Sequence, residues 1–249
     1  MSYSSGMTGT ATASGAAHGT SVVVTGASRG IGLAIARRFH AEGAQVTICA
    51  RGEAALAEAR DQLPGLRTHA CDLSRREEVE RFADAVLAEA GTPDVLVNNA
   101  GAFLPGGIGS EAEGTFEAMI AINVASAYHL TRALLPGMLA RGRGTIVNVC
   151  STASVTPYPN GGSYGIAKHA LLGFSRTLRE ELKPHGIRVV ALLPGATLTD
   201  SWAGAGLPYS RFMPAEDVAE AAFMAWRMSP RTVVEDILLR PMLGDIPAD

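Results

Sequence analysis

Tyr164 and Lys168 lie four residues apart, a spacing that sets two side chains on one face of an α-helix. A phenol titrates at about 10, but a neighbouring ammonium group favours the phenolate and brings proton exchange closer to neutral pH. Such a pair recurs by chance in many helices. Ser151 sharpens it, because it stands just past the run Thr145 to Val149, after Cys150, and its hydroxyl can steady charge developing on an oxygen. Asn123 lies in the long helical stretch before that run. The chemistry these four types support is proton delivery to, or removal from, an oxygen atom. Each also has a duller reading, such as an asparagine bonding to its own backbone. His129 and His169 have no triad partner in the sequence and read as structural.

A second cluster sits near the start of the chain. Thr25-Gly-Ala-Ser-Arg-Gly-Ile-Gly32 separates a β-branched run, Ser21 to Thr25, from a helical pattern in which Ile31, Ile35 and Phe39 recur on one face. Gly26, Gly30 and Gly32 let the backbone turn tightly toward a pyrophosphate, with Ser28, Arg29 and Ile31 in the same turn. The spacing is wider than the usual dinucleotide fingerprint. The next strand ends Cys49-Ala50-Arg51, without the acid that would bind a ribose 2′-hydroxyl. Arg51, assisted by Arg29, suits a 2′-phosphate, so NADPH/NADP+ is expected over NAD(H). Glu53, close by, is the residue that argues the other way.

To bring these clusters together the chain must alternate strands and helices. Further strands are predicted at Gln45 to Ala50, Leu66 to Cys71, Asp94 to Asn98, Thr145 to Val149, Ile187 to Leu193 and Val233 to Leu239. Helices are predicted through Leu56 and Leu63, from Ser74 to Ala90, Thr115 to Arg141, Tyr164 to Lys183 and Ala215 to Met228. Ser74 and Glu77 suggest a capping box, and Pro136 a break in the long helix. Continuous Val/Ile/Leu strands alternating with helices imply an α/β fold, a doubly wound parallel sheet of about seven strands with helices on both faces. A single Rossmann-type domain is expected over 21–249 after a flexible tail at 1–20, with a substrate loop at about 196–213.

The chain has 249 residues, 47% hydrophobic and 18% charged, with 28 glycines, as suits a globular α/β protein rather than a disordered one. A net charge of -3 without a basic run argues against nucleic acid as a partner. Cys49, Cys71 and Cys150 are too scattered for a metal site and read as buried thiols. No signal-peptide pattern or membrane-length apolar run stands out, so a cytoplasmic protein with no membrane contact is expected.

Taken together, the motifs resemble the short-chain dehydrogenase/reductase family, shorter type, over nearly the whole length after the tail. The glycine turn, Asn98-Asn-Ala-Gly101, and Ser151 standing thirteen positions before Tyr164 carry the resemblance, with Pro194-Gly195 and Thr199 behind them. It implies carbonyl reduction or alcohol oxidation with Tyr164 as general acid/base and Ser151 on the substrate oxygen. Lys168 would also hold the nicotinamide ribose, and Asn123 a water relaying protons to it. Asp72 and Leu73 would lie beside adenine, and Asn99, Ala100, Gly101, Pro194, Gly195, Thr197 and Thr199 would contact the cofactor. The family also implies a homotetramer, or a homodimer. The chain ends Val233 to Pro241 without the glycine pair of many 3-oxoacyl thioester reductases, which points toward small hydroxy acids, pterins or assorted carbonyls. Phe103, Thr152 to Pro159 and Trp202 are expected to shape the pocket. An NAD-dependent alcohol dehydrogenase and a non-catalytic NADP(H)-sensing regulator are the alternatives.

Overall fold

The computed structural model describes residues 15–202 and 206–246. Seven parallel strands form one sheet: β1 (Ser21–Thr25), β2 (Gln45–Ala50), β3 (Arg67–Ala70), β4 (Val95–Asn98), β5 (Gly144–Val149), β6 (Ile187–Pro194) and β7 (Asp236–Leu239). Their spatial order is β3-β2-β1-β4-β5-β6-β7. β1 pairs with both β2 and β4, so the winding reverses direction there and opens a crevice at the carboxyl ends of the strands. The central strands are buried on both faces, which explains why their sequences are apolar without alternation.

Among the described residues seven α-helices cover the sheet: α1 (Gly30–Ala41), α2 (Glu53–Gln62), α3 (Arg76–Ala90), α4 (Thr115–Ile120), α5 (Ser126–Arg141), α6 (Gly162–Leu182) and α7 (Ala215–Arg227). One face packs Ile35 and Phe39 of α1, Leu56 of α2 and Val218 and Phe223 of α7 over the strands. The other packs Val79 and Phe82 of α3, Leu130 and Leu134 of α5 and Leu178 of α6. Phe39, Phe223 and Trp226 form an aromatic cluster at the first junction, and Arg38 lies 3.8 Å above the Phe223 ring. All three cysteines are free and buried. No helix among the described residues is long and apolar enough to cross a membrane.

Three expectations need correction. Pro136 sits inside α5, which runs through it; the irregularity in the long helical region is a π turn at Ala121–Ala125. Asn123 lies in that turn, its side-chain amide donating to the Met119 carbonyl at 3.1 Å. The Ser74 capping box does not form: α3 starts at Arg76 and the Ser74 hydroxyl donates to Asp72 instead, at 2.8 Å. The acid that reaches back is Glu78, accepting from the Asp72 N–H at 2.7 Å. Finally, the tail expected through Thr20 lies largely outside the described residues, but its last part packs on the fold. Ala17 is fully buried, and its N–H donates to the Glu42 carbonyl at 3.1 Å.

Candidate active site

A cavity of about 700 Å³ opens at the carboxyl ends of the strands, as the crevice at β1 and β4 requires. Asn123, Ser151, Tyr164 and Lys168 all line it. Tyr164 and Lys168 come from the first two turns of α6. Lys168 is only 5% exposed, and its Nζ donates to the Val149 carbonyl at the end of β5, at 3.0 Å. That Nζ stands 5.8 Å from the centre of the Tyr164 ring. A buried ammonium with one fixed hydrogen bond is a stable source of positive potential beside the phenol. The Tyr164 ring meets Phe103 edge to face, with centroids 4.9 Å apart.

Ser151 follows β5 and caps a short 3-10 turn at Thr152–Ser154. Its Oγ accepts from the Ala153 N–H at 3.1 Å, which fixes the rotamer while leaving the hydroxyl proton free to donate. Asn123 is 1% exposed; its amide donates to the Ala102 and Met119 carbonyls, both at 3.1 Å. Among the described residues its Oδ1 finds no partner. A Cβ on Gly101 would stand 2.6 Å from that oxygen and 3.5 Å from Lys168 Nζ, so Gly101 keeps open a gap between the two groups. A buried acceptor facing an ammonium across such a gap is suited to a bridging water.

Two other groups in the cavity are chemically quieter. Burial, with Tyr164 nearby, pushes the Tyr158 phenol up to about 12, so it remains a protonated donor. Burial likewise pushes the Cys150 thiol up to about 11, despite the Lys168 charge. Neither is poised to exchange protons near neutrality.

The glycine turn after β1 lies along the same cavity through Arg29, Gly30 and Ile31. Gly26 has a φ of 61°, and a Cβ there would come within 2.8 Å of the Ala100 Cα. The Asn99 amide donates to the Thr25 and Gly26 carbonyls, and the Thr25 hydroxyl accepts from the Asn99 and Ala100 N–H groups. The end of β4 therefore braces the turn. Gly32 is packed against Asn99, and Ser28 is half-buried in the turn. This cradle, opening on the free N–H groups of the α1 N-terminus and on the cavity beside it, fits a dinucleotide.

Pro194, Gly195, Thr197 and Thr199 also reach the cavity. Gly195 N–H bonds the Leu239 carbonyl at 2.8 Å, and Thr197 pairs with Met213, so the loop after β6 is tied at both ends. Two short 3-10 turns, Asp200–Trp202 and Tyr209–Arg211, lie within it.

Arg51, Asp72 and Leu73 stand apart from this cavity, at the ends of β2 and β3. Arg51 is exposed. The Ser74 hydroxyl, with Arg51 contributing its charge, holds the Asp72 carboxyl below its ordinary range. Leu73 packs its side chain into the core beside Val79. Arg29 does not join Arg51: its Nη1 meets Asp200 at 2.8 Å, in an exposed pair across the cleft. Phe103, Thr152, Thr156, Tyr158, Pro159 and Trp202 form the remaining walls, as the sequence suggested.

Two features had no sequence signal. Glu111, in the irregular segment before α4, accepts from the Ser163 N–H at 2.6 Å and from the Ser163 hydroxyl. Asp245 and Ile246, from beyond β7, return to line the cavity.

The family model for short chain dehydrogenase matches residues 20–207. A D-beta-hydroxybutyrate dehydrogenase of Cupriavidus necator is 36% identical over 186 residues, 73% of this chain and 72% of that protein. A granaticin polyketide synthase putative ketoacyl reductase of Streptomyces violaceoruber is 34% identical over 95% of this chain and 85% of its own length. A metagenomic short-chain oxidoreductase solved in complex with NADP superposes with a TM-score of 0.81 at 34% identity, covering 92% of this chain and 100% of that one.

Proposed function

The chain belongs to the short-chain dehydrogenase family, and on that premise we propose that it is an NADP(H)-dependent oxidoreductase interconverting a carbonyl compound and a secondary alcohol. The observation that carries this reading is the convergence of Ser151, Tyr164, buried Lys168 and the unpartnered Asn123 Oδ1 on one cavity braced by the glycine turn. A regulator without activity has no need of all four.

When bound, the nicotinamide supplies or accepts the hydride. The turn from Gly26 to Gly32 and the α1 N-terminus would hold the phosphates of the dinucleotide, while Asn99 to Gly101 and Pro194 to Thr199 would line its path. Ser151 donates a hydrogen bond to the substrate oxygen, stabilising the charge that grows there. Tyr164 passes a proton to that oxygen in reduction and takes one in oxidation. The Lys168 ammonium stabilises the phenolate form between turnovers, and water held by Asn123 Oδ1 returns the proton.

Arg51 supports NADP(H). The engagement of Arg29 by Asp200 favours a second reading with NAD(H), because it leaves Arg51 as the sole cation of the expected pair. Oxidation of NADPH and of NADH, followed at the nicotinamide absorbance over ketones, aldehydes, 3-oxoesters and diketones, tests both readings. Turnover preferring NADPH supports the first, and turnover preferring NADH the second. NADPH binding with no turnover favours the regulator. The family reading also makes the chain a homotetramer packed through α5 and α6, where Tyr128, Leu139 and Ile166 are exposed; sedimentation measures that.

A further inference from the structure

Phe103, Pro105, Tyr158, Trp202 and Ile246 line the cavity beside its polar groups. The charged groups lining the cavity are Arg29, Lys168, Asp200 and Asp245, and each cation already has a partner within the protein. Arg29 is paired with Asp200. Lys168 is buried, donates to the Val149 carbonyl and faces Asn123 Oδ1 across the gap at Gly101.

The C-terminal segment supplies a negative group to the same space. Asp245 follows β7 back over the cleft, and its carboxylate accepts from Arg240 Nε at 2.9 Å. Arg240 Nη2 also donates to Thr156 Oγ1 at 3.3 Å, and Thr156 lines the cavity. Arg211 anchors the segment through the Gly244 and Asp245 carbonyls, at 2.9 and 2.8 Å. Both arginines at this rim are thus occupied by the protein's own oxygens. The residues outside the described set, 1–14, 203–205 and 247–249, include no Lys, Arg or His.

We infer that the site takes uncharged carbonyl compounds with apolar or aromatic flanks and discriminates against those bearing a carboxylate, with Asp245 as a specificity-determining residue. The inference rests on the oxidoreductase reading above and names its substrate class. A carboxylate entering this cavity loses its water and must displace Asp200 from Arg29 or Asp245 from Arg240 to find an ionic partner. A neutral group of the same shape meets neither obstacle. Asp245 holds the place on Arg240 that a substrate carboxylate would otherwise take.

Isosteric pairs separate charge from shape. The full-length chain is assayed at pH 7 with NADPH and NADH, comparing acetoacetamide with acetoacetate and benzoylformamide with benzoylformate. The expected result is a kcat/KM for each amide at least tenfold above that of its acid. In Asp245→Asn, which leaves Arg240 without its ionic partner, the ratio is expected to narrow at least threefold through a lower KM for the acid. Equal or better turnover of the acids by the parent protein overturns the substrate class. An unchanged ratio in Asp245→Asn removes Asp245 from the role. Acid preference leaves the oxidoreductase reading standing, whereas silence on both pairs and on the wider carbonyl panel defeats that reading and this inference with it.

Discussion

Glu111 accepts two hydrogen bonds from Ser163, one from its N–H and one from its hydroxyl, and so fastens the segment after β4 to the first turn of the helix bearing Tyr164. The carboxylate also sits at the positive end of the α6 dipole. Phe103, on the same segment, touches the Tyr164 ring, so the clamp fixes both sides of that contact. Glu111→Ala is expected to lower kcat by roughly tenfold to a hundredfold, since small misplacements of a reacting group are costly. Stability should fall by about 1–2 kcal/mol, as for loss of a helix cap. Glu111→Gln, which keeps an acceptor for the Ser163 N–H, should restore most of kcat. Steady-state kinetics and thermal melts check this; an unchanged kcat in the alanine variant refutes the positioning role.

Tyr164→Phe keeps the ring that packs on Phe103 and removes only the hydroxyl. Turnover should drop by about 10³-fold, within the range for loss of a general acid/base. The affinity for NADPH, read by fluorescence titration, should stay within about threefold, a small free-energy change.

Arg51→Asp exchanges a guanidinium for a carboxylate at the end of β2. The NADP/NAD ratio of kcat/KM is expected to fall at least tenfold, with the gain appearing as a lower KM for NAD. If the ratio holds, the 2′-phosphate is bound elsewhere.

Gly101→Ala would place a methyl group 2.6 Å from the unpartnered Asn123 Oδ1. Asn123 must then move, and the gap toward Lys168 closes. Activity should fall by an order of magnitude or more, with a visible change in the pH dependence of kcat, because proton return is what the gap serves. Loss of stability without any change in the pH profile would count against that role.

Asp236, at the start of β7, is burdened by burial, but hydrogen bonds from Arg176 and Arg179 outweigh it and hold its carboxyl below the ordinary value of 3.8. A depressed carboxyl stabilises the fold fully above that ordinary value and loses its effect as pH falls through the folded-state value. Asp236→Asn should therefore cost about 1 kcal/mol at pH 7, a typical scale for charge-assisted bonds at a partly exposed site, and progressively less below pH 3.8. Urea unfolding at pH 7 and pH 3 measures the difference.

Much of the architecture was legible because local pattern and fold agree. Buried strands such as Ser21–Thr25 are continuous apolar runs, and the predicted bounds of Gln45–Ala50 match the structure. Of the four side chains that meet at the cavity, Tyr164 and Lys168 were picked out by helical spacing and Ser151 by its place after a strand, whereas Asn123 gained its proposed role only through the family resemblance. The misreadings have physical causes. Pro136 suggested a break, yet losing one hydrogen bond is tolerable in a helix packed as tightly as α5. The true irregularity turns on a side-chain amide at Asn123, which no local propensity reports. Ser74 had a better acceptor in Asp72 than in the next helix turn. Glu111 was invisible because its partner Ser163 lies 52 residues away, and Asp245 because only the folded chain returns it over the cavity. Arg29 illustrates the reverse: its chemistry was plain, but its nearest counter-ion comes from a distant loop.

The joining of α1 to α7 has a consequence during synthesis. Arg38 and Glu220 are hydrogen-bonded across 182 residues, and Phe39 waits for Phe223 and Trp226 to complete its surroundings. While the ribosome is still translating the middle of the chain, the first helix has an apolar flank with no cover. The packing of that flank is therefore finished only after Trp226 has emerged. Such long-range closure slows folding and leaves the nascent chain dependent on protection against aggregation. Removing the last helix would damage the first.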